Sequence, residues 1–177
     1  MREQYTTRDA IAAGAWTWES PEGLVWVLVD VQSTVPELVQ ARVDLWAGDT
    51  AAVTRVARSD VMPAAAEFGA YAFEDLSGDG LPDLFGYVAD STGVSYPVFI
   101  PGAAGAMADV LEAAARGWQF ATDDTALPQL VRGPGGACAL QLWAEAPPDS
   151  SPAGWRYLTL DRRAGLGPPS AAAPTCP

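Results

Sequence analysis

The chain contains no histidine, no lysine and no asparagine, and only two cysteines among its 177 residues. Without histidine, Ser-His-Asp and Cys-His catalysis and imidazole ligation of zinc or haem are unavailable. Without lysine there is no phosphate-binding loop of the Gly-rich, Lys-bearing type. Most hydrolase and kinase chemistry falls away with these two residue types. Positive charge is scarce as well: ten basic residues, all arginine, face 22 Asp and Glu, for a formal net charge of −12. Binding to a polyanion depends on clustered Lys and Arg, so neither nucleic acid nor an anionic membrane surface is an expected partner. No apolar run approaches a transmembrane span, and Met1–Gly14 has no signal-peptide apolar region, so direct membrane insertion is not expected.

What is present is the material of a packed β protein. The chain is 49% hydrophobic and carries seven Trp, enough for a substantial core. Trp16 and Trp18 alternate with small or polar neighbours, and Ser20-Pro21-Glu22-Gly23 turns the chain into the unbroken apolar run Leu24–Val29. Such a run reads as a strand buried on both faces. Strict alternation over Arg42–Trp46, the Gly48-Asp49 turn and Val53–Arg58 predict a hairpin, as do Leu84–Ala89 with Val94–Ile100, and Cys138–Trp143 with Trp155–Leu160. Helices are expected over Thr7–Ala13 and Ala106–Arg116; in the second, Met107, Val110, Leu111 and Ala114 share one face, and Glu112 and Arg116 are spaced for an i,i+4 pair. The fold class is therefore mainly β, with α+β as the alternative: an antiparallel sheet or sandwich with one helix packed on a face. An N-terminal arm over 1–14, a single β-rich domain over 15–165 and a Pro/Ala-rich tail over 166–177 complete the expected organisation.

One stretch carries a specific chemistry. Ca²⁺ takes six to eight oxygens at about 2.3–2.6 Å, and a short loop supplies them when alternate side chains point inward. In Asp75-Leu76-Ser77-Gly78-Asp79-Gly80-Leu81-Pro82-Asp83, the side chains of Asp75, Ser77, Asp79 and Asp83 stand at positions 1, 3, 5 and 9, with the Leu81 carbonyl at 7. Gly80, at position 6, sits where the chain must turn sharply. Position 12, which in a helical EF-hand is a bidentate Glu, is Gly86, and the flanks alternate as strands do. The expected cofactor is Ca²⁺, held in a loop between two strands.

These residues resemble the calcium loops of FG-GAP/VCBS-type β repeats through Asp75, Gly78, Asp79, Gly80, Pro82, Asp83 and Leu84. The resemblance implies that Asp75, Asp79 and Asp83 ligate the ion and that a strand begins at Asp83-Leu84. Ser77 departs from the more frequent Asp or Asn. The family repeats its unit to build propeller blades, whereas this chain has a single copy, which excludes a complete propeller.

The remaining candidates read as scaffold. Asp123 and Asp124 are sequence neighbours, which seldom face each other across a cleft as glycosidase carboxyls do. Asp161-Arg162-Arg163 is a surface ion cluster, and Gly133-Pro134-Gly135-Gly136 lacks the lysine of a phosphate cradle. Cys138 and Cys176 are disulfide candidates that would tie the tail to the body. A loop of three carboxylates suits the millimolar calcium found outside the cytoplasm, which places the protein in the periplasm or at the cell surface. The function expected is that of a non-enzymatic, calcium-stabilised domain that docks onto a protein partner, as an extrinsic subunit of a larger membrane-associated complex. The alternative is a carbohydrate-binding module or a calcium-dependent hydrolase using carboxylates, recognisable by an exposed row of Trp beside facing acids.

Overall fold

The computed structural model describes residues 10–33, 40–49, 51–59, 62–63, 67–90, 93–101, 106–121, 126–161 and 165–176. Mainly β structure is what it shows. The chain groups into two compact units, the first within Met1–Glu74 and Gly80–Ala108, the second within Asp75–Asp79 and Asp109–Pro177.

The first unit is one ten-stranded sheet. Its strands are β1 (Ala10–Glu19), β2 (Val25–Ser33), β3 (Gln40–Gly48), β4 (Val53–Ser59), β5 (Met62–Pro63), β6 (Glu67–Glu74), β7 (Asp83–Asp90), β8 (Gly93–Ser95), β9 (Val98–Pro101) and β10 (Ala106–Asp109). Their order is β1-β2-β3-β4-β10-β9-β7-β6, with β5 on β3 and β8 on β7. The hairpin ladders are antiparallel, while β10 runs parallel to β4, pairing Ala106 with Arg58 and Met107 with Ser59. One face of every strand in that order feeds a single core: Trp16 and Trp18, Trp26 and Leu28, Val43 and Leu45, Ala57, Met107, Phe99, Leu84 and Val88, and Phe68. The sheet curls far enough for its two end strands to meet, where the Trp16 ring packs edge-on against Phe68 at 5.3 Å. This buries the apolar side of a sheet that has no partner sheet within the unit. The Leu24–Val29 run is apolar on both sides for a visible reason. Trp26 and Leu28 enter the core, while Val29 joins Trp46, Val27 and Val53 on the opposite face.

The second unit is a four-stranded sheet in the order β11 (Gln129–Gly133), β12 (Gly136–Ala144), β13 (Gly154–Asp161), β14 (Gly165–Leu166), with the helix α1 (Val110–Ala114). Leu140 and Leu158 face each other in register and, with Leu142, are fully buried. Trp143 and Trp155 pair across the same ladder, edge to face at 5.3 Å. Arg156 is 5% exposed, and its guanidinium is hydrogen-bonded. It donates to the Trp155 and Pro152 carbonyls and to Ser151 Oγ, and its guanidinium lies 5.5 Å from the Trp118 ring. Those bonds close the Pro/Ser-rich loop between β12 and β13 over the sheet. The last residues follow β13: Gly167 donates to the Thr159 carbonyl, Ser170 and Tyr157 exchange backbone bonds, and Cys176 is disulfide-bonded to Cys138 with Cα atoms 5.7 Å apart.

Two local expectations are corrected. The helix over Thr7–Ala13 is not formed in its described part, because Ala10–Ala13 belong to β1, where Ala10 stands opposite Ser33 and Ala12 opposite Val31 of β2, with a register shift at Ala13. Alanine's helix preference is a few tenths of a kcal/mol per residue, less than the ladder gains by extending. The helix over Ala106–Arg116 shrinks to Val110–Ala114. Asp109 is its N-cap, accepting from the amides of Leu111 and Glu112 at 3.1 and 3.2 Å, and the residues before it are β10, with Met107 in the first unit's core. Arg116 lies past the helix end, so it has no i,i+4 place opposite Glu112. Strand β11 has no counterpart among the expected strands; it pairs with β12 across the Pro134-Gly135 turn, Gly133 opposite Gly136. Asp123, Asp124, Arg162 and Arg163 lie outside the described residues.

The disulfide spans 38 residues and anchors a segment otherwise held by a few edge hydrogen bonds. Replacing both cysteines by serine should lower unfolding stability by about 2–4 kcal/mol, chiefly through the entropy of the opened chain. Urea melts of the oxidised protein, the reduced protein and the double variant measure this, with reduction expected to leave the variant unchanged.

Candidate functional site

The loop between β6 and β7 starts from an ordinary property of aspartate, whose short carboxylate bonds backbone amides just ahead of it. Asp75 Oδ1 accepts the N–H of Gly78 at 2.5 Å and of Asp79 at 3.1 Å, which winds residues 75–79 around that carboxylate. The winding requires left-handed backbone, and Gly78 and Gly80 supply it with φ of 74° and 88°. A Cβ built on Gly80 would touch nothing within 4 Å, so glycine is needed there for conformation alone. Ser77 is 5% exposed and Asp83 1% exposed, with Ser77 Oγ and Asp83 Oδ1 among the buried atoms. Asp83 opens β7 opposite Glu74. Leu81 is half-buried against the first unit's core, and Asp79 faces solvent.

The five predicted positions therefore divide. Ser77 and Asp83 are buried, each in its own unit, Asp75 is half-buried, Leu81 anchors its end of the loop through its side chain, and Asp79 is the most exposed of the five. Among the described residues, no group of three or more His, Cys, Asp or Glu side chains is gathered closely enough to hold a metal ion. The donor set is nonetheless all oxygen, the kind calcium takes, and the backbone path is that of a loop wound around an inward carboxylate.

A second polar constellation has no counterpart among the predicted sites. On β3, Asp44 is buried completely and takes three arginines. Its Oδ1 accepts from Arg42 Nε at 3.2 Å and Arg58 Nε at 3.0 Å; its Oδ2 lies 3.4 Å from Arg58 Nη2 and 3.5 Å from Arg55 Nη1. Beyond these contacts, the three guanidiniums make no hydrogen bond or ion pair among the described residues. The cluster sits on the sheet face opposite the core, beside Trp46, Val29, Val27 and Val53. Part of the signal was present in the sequence, since Arg42, Asp44 and Trp46 share one face of an alternating strand. The rest was hidden by a β-bulge. Between the pairs Leu45–Ala57 and Trp46–Arg55 the register shifts by one, so Arg55 and Arg58, three apart in sequence, serve the same face.

Gly80→Ala should cost about 1–2 kcal/mol, the penalty of left-handed backbone with a Cβ, and Gly80→Asn should recover part of it, as denaturant melts in the presence of EGTA would show. Asp44→Ala should cost about 3 kcal/mol by leaving three guanidiniums without their shared acceptor, whereas Arg55→Gln, which leaves Asp44 its bidentate contact with Arg58 and its bond from Arg42, should cost at most about 1 kcal/mol. The same melts in low and high salt separate the two, because added salt relieves only the repulsion among the exposed arginines. No helix among the described residues is long and apolar enough to cross a membrane. Comparison of the chain with protein-family models, curated proteins and solved structures finds no match, so the reading of both constellations rests on their own residues.

Proposed function

We propose that the protein is a non-enzymatic β domain in which Ca²⁺ stabilises the Asp75–Asp83 loop, and that it acts outside the cytoplasm by docking onto another protein, as an extrinsic subunit of a larger membrane-associated complex. The observation that carries the calcium reading is the turn around Asp75, with two of its amides bound by one carboxylate oxygen and Gly78 and Gly80 in left-handed backbone. Asp75, Ser77, Asp79, Asp83 and the Leu81 carbonyl would hold the ion. Its role there is structural, since it would offset the repulsion of carboxylates crowded into nine residues and fix the start of β7.

The Cys138–Cys176 disulfide supports an oxidising compartment, where free calcium is also high. The docking half of the proposal is favoured over sugar binding by the tryptophans. All seven are buried or half-buried, so the exposed Trp row that would favour a carbohydrate module is not found. The absence of histidine and lysine supports a non-enzymatic role by removing the commonest general bases and nucleophiles.

With a dissociation constant of about 10⁻⁴ M and about 10⁻³ M free ion, binding adds about 1.4 kcal/mol to stability. Thermal unfolding in EGTA, then with titrated Ca²⁺ or Mg²⁺, should show a calcium-selective rise in Tm that disappears in Asp79→Ala. An equal response to both ions, or the same shift in the variant, removes the loop as its source.

A further inference from the structure

Neutralising Asp44 takes one arginine, and the protein provides three of its ten. Among the described residues the local sum is three positive charges and one negative, a surplus of two on a chain whose net charge is −12. Like charges this close repel one another, and a single carboxylate beneath them compensates only in part. Arg58 grips Asp44 through two nitrogens, Arg42 through one, and Arg55 through one contact at 3.5 Å. The side chains remain 29%, 45% and 42% exposed for Arg42, Arg55 and Arg58, and their N–H groups beyond those directed at Asp44 have no acceptor among the described residues. Guanidinium groups fixed from below with donors free above form a receptor for an oxyanion, above all a carboxylate.

From this we infer that the outer face of β3 and β4 docks an acidic segment of a partner protein, with a carboxylate of that segment lying across Arg55, Arg42 and Arg58. This names the surface and chemistry of the docking partner proposed above and rests on that reading; it is independent of calcium. Two features favour a short peptide segment over other anions. The half-buried Val27 and Val53 flank buried Trp46 on the same face, offering apolar contact beside the charge, which a free inorganic anion cannot use. A long polyanion would meet the negative remainder of the surface, whereas one or two carboxylates feel mainly the arginines, because charges beyond about 8 Å are screened at physiological salt.

The test is fluorescence anisotropy with a labelled hexapeptide carrying two adjacent aspartates between leucines, with its two-asparagine counterpart and inorganic phosphate as competitors. It is run on the full chain with calcium and again in EGTA. Arg55→Gln is the informative variant, since Arg55 is the most exposed of the three and the most weakly tied to Asp44, and Arg116→Gln is the control. Saturable binding of the aspartate peptide, about tenfold weaker in Arg55→Gln and unchanged in Arg116→Gln, is the expected result, a loss of about 1.4 kcal/mol. Four outcomes overturn the inference: no saturable binding, equal binding of the asparagine peptide, phosphate binding without peptide binding, or binding indifferent to Arg55. Self-association lost in Arg55→Gln, read by sedimentation of the protein alone, would instead give this face to a second copy of the chain and also overturn it. Peptide binding that persists in EGTA while calcium fails to raise Tm would overturn the calcium reading and leave this one standing.

Discussion

Side-chain alternation in a curled sheet is the constraint on which the rest of the first unit depends. A sheet of this width, with Trp, Leu, Val and Phe on one side of nearly every strand, has no second sheet in its own unit to cover that side. Curling solves the problem by making each strand's apolar face part of the wall of one core, and the Trp16–Phe68 contact marks where the two end strands come together. The same geometry fixes what the outer face can be. It is apolar in two places: β6, β7 and β9 carry Tyr71, Phe85, Tyr87 and Val98 outward, and β2 and β3 carry Val27, Val29 and Trp46, beside which the arginines gather.

Alternation was also what made much of this legible in the sequence. The hairpins β3–β4, β7 with β8 and β9, and β12–β13 follow from runs in which apolar and polar residues trade places around Gly- or Pro-containing turns. The misreadings have a common physical origin, which is that local preference lost to pairing partners far away in sequence. Ala10–Ala13 is helical by propensity and extended in fact because β2 continues to Ser33 and offers it a ladder. Ala106–Asp109 fits a helical stripe only because Met107 and Leu111 are both core residues, though each is buried in a different structural setting. β11 was invisible because Gln129–Gly133 contains just two large apolar residues, too few to show a period.

The two polar constellations differ in the same respect. The Asp75–Asp83 loop is local: every residue that shapes its turn lies within nine positions, so spacing alone exposes it. The Asp44 cluster depends on a hairpin register and on one extra residue at a bulge, and a single strand's pattern contains neither. A bulge changes which residues share a face without changing the composition of the strand. That is why Arg55 and Arg58 read as opposite-facing neighbours until the pairing with Trp46 and Asp44 is known.

Burial of Asp44 sets a limit on what the arginines can be. A carboxylate at 0% exposure is tolerable only with charge and hydrogen bonds brought to it, and one bidentate arginine, Arg58, already does this. The other two add little stability of their own, because exposed ion pairs contribute at most about 1 kcal/mol and these also repel each other. On the docking proposal, an arrangement that gains little for the isolated fold, in a chain with ten cationic side chains against 22 acidic ones, would serve something outside the fold. The buried carboxylate then has a positioning role. It holds the guanidiniums together on the strand surface against their own repulsion, so that an incoming anion finds them already arranged and the ordering cost of binding is reduced. At Asp75 the same physics works on a smaller scale, where one carboxylate oxygen gathers two backbone amides and so shapes the turn.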